Sequence, residues 1–420
     1  MAKYIIKGAK PLKGEIFAGG SKNSALGILT ASLMTNGVCI FKNVPNIEDV
    51  QLLLNIFESI GVKYAREGST VALDTRNINN TYIDTADAVK MRASYYILGA
   101  FIGKYGEVSI PFPGGCAIGT RPIDQHLKGI RALGAEVIED LDAGRITAKA
   151  DGLHGKEIFF DCVSVGATIN VMMASVFAEG TTQLVNAAKE PHIVDVANFL
   201  NYMGARIKGA GTDVIRIEGV KSLKAKAEYS VIPDQIEVGT FMIAAAATKG
   251  DVTIKNVIPK HMETLSAKLE EMGAKVTIYD DAINVKADGR LDAVSVKTAV
   301  YPGFPTDLQQ PFSVLATIAD GQSVITETIY ENRLKHLEEF KKMGAVVEVK
   351  GNKAYFTGVG VLHGADVYAT DLRAGAALVV AGLVADGVTN VNDIMHIDRG
   401  YENIDEKFRL LGADIERVMD

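Results

Sequence analysis

A chain of 420 residues, 48% hydrophobic and 23% charged, has room for two domains or more and the composition of a globular protein. A formal net charge of -7 gives no support for a nucleic-acid-binding surface, and three scattered cysteines (Cys39, Cys116, Cys162) make neither a disulfide framework nor a zinc site. No apolar run reaches the roughly 18 residues of a membrane span, and MAKYIIKGAKPLKG has too short an apolar segment for a signal peptide, so a cytoplasmic setting is expected.

Along the chain one unit recurs six times. An apolar residue, a glycine and usually an alanine close a helical pattern at Ile60-Gly61-Val62, Leu133-Gly134-Ala135, Met203-Gly204-Ala205, Met272-Gly273-Ala274, Met343-Gly344-Ala345 and Leu411-Gly412-Ala413. The intervals between these glycines are 73, 70, 69, 71 and 68 residues. A second glycine precedes each, at Gly37, Gly106, Gly180, Gly250, Gly321 and Gly387. Ahead of it an apolar, small-residue stretch reads as a buried helix: 24–35, 93–104, 167–179, 238–249, 310–320 and 374–386. The small side chains permit close helix–helix approach. An extended piece follows each second glycine, then an amphipathic helix, then a strand pair such as 274–279 with 282–285. Glycine at both helix ends is the expected left-handed cap. Six units of this length divide into two α/β domains of three, with helices buried at the centre and sheets outside, the inverse of a barrel with central strands.

Each repeat has one loop before its buried helix and one before its amphipathic helix, and helix N-termini favour anions. The first class of loop holds Ser21-Lys22-Asn23, Met91-Arg92, Ser164-Val165-Gly166, Pro233-Asp234-Gln235, Thr306-Asp307 and Asp371-Leu372-Arg373. Of only 14 arginines, Arg92, Arg121, Arg333, Arg373 and Arg399 all fall in these two loop classes, which suits bidentate recognition of carboxylate or phosphate. Arg373 has an alternative as a partner of Asp371, and Asp307 as the N-cap of its helix rather than a general base. Cys39, in Val38-Cys-Ile-Phe, reads as a core residue. No GxxxxGK[ST], GxGxxG or HExxH is present, so no cofactor or catalytic metal is expected.

The stretch Pro111-Phe-Pro-Gly-Gly-Cys116-Ala-Ile-Gly-Thr-Arg121-Pro122-Ile-Asp124-Gln-His126 places a thiol among glycines, five residues before an arginine. A nearby cation favours the thiolate. A free cysteine in a turn is the alternative reading of this stretch taken alone.

These motifs, with Gly19-Gly-Ser-Lys22-Asn23-Ser, Tyr301-Pro-Gly-Phe-Pro-Thr-Asp307, Glu331-Asn-Arg333, Asp371-Leu-Arg373-Ala-Gly and Asp398-Arg399-Gly-Tyr-Glu402, resemble the UDP-N-acetylglucosamine 1-carboxyvinyltransferases over nearly the whole chain. The resemblance implies the two-domain inverse α/β barrel of enolpyruvyl transferases. It implies a discontinuous first domain (1–21 plus 231–420) and a second (22–230) carrying the Cys116 loop. It implies transfer of the enolpyruvyl group of phosphoenolpyruvate to the 3′-hydroxyl of UDP-N-acetylglucosamine, with phosphate released, and sensitivity to fosfomycin. By the same resemblance Cys116 protonates the methylene carbon and can form an adduct at C2, and Asp307 accepts the hydroxyl proton. Lys22, Arg121 and Arg399 hold the phosphate, with Arg333 and Arg373 near the carboxylate. Asn23, Arg92, Pro122, Asp124 and His126 line the nucleotide-sugar site, as do Ser164, Val165, Gly166 and Ile329. Gln235, Cys162 and Lys189 depart from residues common in the family and put nucleotide affinity in question. Alternatives are transfer to shikimate 3-phosphate, whose family lacks the loop cysteine; an RNA 3′-phosphate cyclase, which predicts a basic surface; and a silent ligand-binding paralogue.

Overall fold

The computed structural model describes residues 2–419 except 113, 115–117 and 226–227. Its chain forms two compact units. The first takes the residues up to Gly19, residues 118–120 and everything from Pro233 on; the second takes Gly20 to Ile232 apart from that short piece. Each unit has its own apolar core.

Among the described residues the repeat read from the glycines is built as six sheets, five of four strands and one of three. The strand after each second glycine pairs antiparallel with one strand of the following hairpin. On its other side it pairs parallel with a strand from earlier in the chain in four of the sheets, while Val38–Lys42 takes the later Tyr229–Ser230. Asp251–Lys255, for example, lies between Lys13–Phe17 (parallel) and Ala282–Lys286 (antiparallel). In the three-stranded sheet a single parallel bridge, Tyr82 to Ser109, stands where the fourth strand would be. The sixth repeat lacks one hairpin strand of its own. Ala2–Lys7 supplies it, pairing antiparallel with both Val388–Asn392 and Asp414–Met419. Tyr4 and Ile6 of this strand are buried.

The central helices are Lys22–Ser32, Tyr96–Tyr105, Val165–Ser175, Gln235–Ala247, Thr306–Ile318 and Leu372–Val384, and most of their residues are buried. In the first unit the last three pack on one another. In the second unit, helices Tyr96–Tyr105 and Val165–Ser175 approach so closely that a Cβ on Gly99 would stand 2.2 Å from the Asn170 carbonyl oxygen. The Gly99 N–H is close enough to donate to the Asn170 Oδ1, at 2.6 Å. The small residues noted in the sequence therefore set the helix spacing. Cys39 is fully buried, as its apolar neighbours suggested.

Two expectations need correction. The apolar pattern starts most of these helices two to four residues late, because their first turns carry polar and charged side chains that an apolar pattern passes over. Lys22, Asp307 and Arg373 stand in first turns, and Arg92 opens a 3-10 turn, Arg92–Tyr95; none of the four is in a preceding loop. Second, the left-handed cap holds at Gly61, Gly134, Gly204, Gly273, Gly344 and Gly412, but not at Gly37 or Gly250. Lys249 takes the positive φ (55°) instead, and Gly250 is needed for close approach: a Cβ there would lie 2.3 Å from the Leu12 carbonyl oxygen.

Candidate active site

In the first unit, Asp307 lies in the opening turn of Thr306–Ile318, whose N-cap is Pro305. The aspartate does not cap the helix. Its carboxylate lies between two arginines: Arg333 Nη2 donates to Oδ1 at 2.7 Å, and Arg373 Nη2 and Nε donate to Oδ2 at 3.1 and 3.3 Å. The Arg333 and Arg373 side chains are 3% and 5% exposed, whereas Asp307 keeps 28% of its side-chain surface open. Of the three charged groups the carboxylate is therefore the most open to solvent. Burial alone would raise the Asp307 pKa; the two guanidiniums outweigh it and hold the carboxyl far below its usual range.

The clamp is itself braced. Arg333 Nη1 donates to the Thr306 hydroxyl at 3.3 Å, and Gln310 Nε2 donates to Asp371 Oδ2 at 3.1 Å. Asp371 does cap its helix, accepting the backbone N–H groups of Arg373 and Ala374, so the backbone of Arg373 serves the cap and its guanidinium serves Asp307. Tyr401 stacks under that guanidinium at 5.3 Å and hydrogen-bonds Thr240 at 2.8 Å. Ile329 follows the strand Gln322–Thr326, its N–H donating to Glu327. Arg399, half-buried, ends the short helix Met395–Asp398; Asp398 pairs with Arg417.

In the second unit, Lys22 opens the helix Lys22–Ser32 behind the N-cap Ser21. Its ammonium is buried and pairs with Asp49 at 2.8 Å. Half-buried Asn23 follows it. An Arg92 Nη2 donates to the carbonyl of Arg121, whose φ of 45° is left-handed. Asp124 opens the amphipathic helix Asp124–Ala132, just after exposed Pro122. His126 is buried beside the Tyr95 ring, 6.0 Å between centroids. Burial, helped by Arg92, lowers its pKa to about 3, so the imidazole is neutral. Ser164 caps Val165–Ser175, and a Cβ on Gly166 would come within 2.6 Å of His126 Nε2, so the bare backbone there gives the imidazole its room.

The structure thus joins Asp307 with Arg333 and Arg373, Arg92 with Arg121, and His126 with Gly166. Cys116 lies outside the described residues. Sequence reasoning gave no role to Asp49, Gln310, Glu327 or Tyr401. Neither Asp49, which follows Glu48, nor Glu327, which stands between Thr326 and Thr328, carried a local signal of burial. Among the described residues no group of three or more His, Cys, Asp or Glu side chains is arranged to hold a metal ion, and no helix is long and apolar enough to cross a membrane.

The family described as EPSP synthase (3-phosphoshikimate 1-carboxyvinyltransferase) matches residues 6–408. Among curated proteins, the chain is 56% identical over 418 residues to UDP-N-acetylglucosamine 1-carboxyvinyltransferase 2 of Clostridium acetobutylicum, covering 99% of each chain. It is 55% identical to UDP-N-acetylglucosamine 1-carboxyvinyltransferase 3 of Caldanaerobacter subterraneus subsp. tengcongensis, covering 100% of both. Among solved structures, the enolpyruvyl transferase NikO from Streptomyces tendae superposes with a TM-score of 0.89 at 25% identity, over 100% of this chain and 99% of the other. EPSP synthase from Acinetobacter baumannii gives 0.74 at 19% identity over the full length of both and shares the fold. With full-length identity of this order, the chain belongs to the 1-carboxyvinyltransferase family, among the UDP-N-acetylglucosamine 1-carboxyvinyltransferases.

Proposed function

We propose that this chain transfers the enolpyruvyl group of phosphoenolpyruvate to the 3′-hydroxyl of UDP-N-acetylglucosamine and releases phosphate, the first committed step of peptidoglycan synthesis, in the cytoplasm and without a cofactor. The observation that carries this reading is identity of 55–56% across the whole chain with proteins named for that reaction. Shikimate 3-phosphate as acceptor has weaker support, a broad family description and structures at 19% identity.

In this reading Cys116 delivers a proton to the methylene carbon while the sugar oxygen bonds to C2 and Asp307 takes the hydroxyl proton. The tetrahedral adduct then loses phosphate, with a proton leaving the methyl carbon to restore the double bond. Lys22, Arg121 and Arg399 hold the phosphate, and Arg333 and Arg373 meet the carboxylate. Asn23, Arg92, Pro122, Asp124 and His126, with Ser164, Val165, Gly166 and Ile329, receive the nucleotide sugar. The domain division is read as 1–21 plus 231–420 and 22–230. The electrostatics around Asp307 suit this sequence of events. An aspartate paired with two arginines is a feeble base. A substrate carboxylate competes for the same guanidiniums, and as they turn to it Asp307 loses its cations and gains basicity. The general base is thereby strengthened by the presence of its co-substrate.

The deciding experiment is phosphate release from phosphoenolpyruvate, with and without UDP-N-acetylglucosamine, in the natural protein and in Cys116→Ser. Release that requires both the sugar nucleotide and the thiol is the expected result. No release from the natural protein refutes the reading; release with shikimate 3-phosphate instead moves the acceptor.

A further inference from the structure

Glu327 is 2% exposed and carries no role in the scheme above. Among the described residues its carboxylate accepts four hydrogen bonds, all from neutral groups. Oε1 takes the Thr298 hydroxyl at 2.9 Å and the backbone N–H groups of Ile329 and Tyr330 at 2.7 and 3.3 Å; Oε2 takes the Thr306 hydroxyl at 2.8 Å. Its own backbone is fixed as well, the N–H donating to the Asn352 carbonyl and the carbonyl accepting from Asn352 Nδ2, both at 2.9 Å. A buried carboxylate without a cationic partner is costly, and a well-packed neutral side chain would fill such a place at less cost. The four partners show what the charge does. Two belong to the loop leading to Ile329 and Arg333, and one is the residue before Asp307.

The hydroxyl of Thr306 has one proton to give. It gives it to Glu327, which leaves a lone pair for Arg333 Nη1 at 3.3 Å, and Arg333 in turn grips Asp307. We propose that Glu327 is a positioning residue for the transfer reaction: through Thr306 it sets the direction of the hydrogen bond that aims Arg333 at Asp307, while its other oxygen holds the loop carrying Ile329 and Arg333. An acceptor-only group is required at Oε2. An amide there could present N–H to Thr306, turn the hydroxyl proton toward Arg333 and set donor against donor. This rests on the functional reading given above.

The test compares Glu327→Gln, Glu327→Ala, Thr306→Val and Thr306→Ser in the full-length protein. Glu327→Gln keeps an acceptor for the Ile329 and Tyr330 amides, so hydrogen exchange of the peptide spanning residues 328–333 stays close to natural. Yet kcat/KM for phosphate release falls about tenfold or more, the size of one lost hydrogen bond to a charged group. Thr306→Val falls by a similar factor, Thr306→Ser recovers most of the activity, and Glu327→Gln combined with Thr306→Val is no worse than either alone. The acid limb of the kcat/KM profile moves to higher pH in Glu327→Gln, as Asp307 loses part of its clamp. Glu327→Ala also speeds exchange in 328–333. Natural kcat/KM in a folded Glu327→Gln, or strictly multiplicative losses in the double variant, would overturn the proposal, as would unchanged exchange in Glu327→Ala. The exchange measurement needs no turnover. An inactive natural protein therefore refutes the reaction, while natural exchange in Glu327→Ala refutes the placing of the loop.

Discussion

Asp307 is the most open member of its cluster, yet it is the member whose charge the cluster fixes. Arg333→Lys keeps a positive charge but trades a planar fork for a single ammonium that cannot serve Asp307, Thr306 and Gln310 from one plane. We expect kcat/KM for phosphate release to fall roughly tenfold to a hundredfold, an estimate resting on charge-assisted hydrogen bonds; an unchanged value would make Arg333 structural. His126 gives a prediction about stability. Its folded pKa of about 3 lies below the unfolded value of about 6.5, so between these two the unfolded chain binds more protons. His126 therefore costs stability as pH falls from about 6.5 toward 3. Melting curves over the upper part of that window will show His126→Asn losing less stability on acidification than the natural protein. Parallel curves for the two would place the imidazole in water. The pairing of Asp307 with two arginines was not legible in the sequence, because the three residues stand 26 and 66 positions apart. Residue types in a loop or first turn suggest an anion; they do not say which protein carboxylate the same cations grip.

At the scale of elements, the sequence was most readable where glycine and apolar side chains do the specifying. The six glycine punctuations, the extended pieces and all the hairpins but the sixth appear, since a left-handed cap and a half-buried strand are local demands. Helix starts were misread because capping is polar, and the first turns are where Lys22, Asp307 and Arg373 stand. Helix spacing is the element's other specification. Gly99→Ala would push a methyl against the Asn170 carbonyl, which is backbone and has little room to yield. A loss of about 2 kcal/mol is expected from overpacking of this kind, read as a lower midpoint in chemical denaturation. An unchanged midpoint would mean that the two helices part at no cost.

Over the whole molecule, two cores stand behind six repeats, and the sixth sheet borrows its strand from the other end of the chain. Removing residues 2–7 strips Tyr4 and Ile6 from the first unit's core and leaves Val388–Asn392 and Asp414–Met419 without their common neighbour. Calorimetry should show the first unit's transition moved to lower temperature while that of the second unit, with its separate core, stays in place. An equal fall in both would show that the two cores melt as one.

That borrowed strand also orders events during synthesis. The second unit ends at Ile232, so all of its residues are made before Val388–Asn392 and Asp414–Met419. The strand Ala2–Lys7, which precedes that unit in the chain, waits for partners translated after it. Until Val388–Asn392 and then Asp414–Met419 emerge, Ala2–Lys7 lacks both of its antiparallel partners, a state open to proteases and to pairing with the same strand of other chains. Chaperone demand during synthesis should therefore centre on Ala2–Lys7, far in sequence from the strands that complete its sheet.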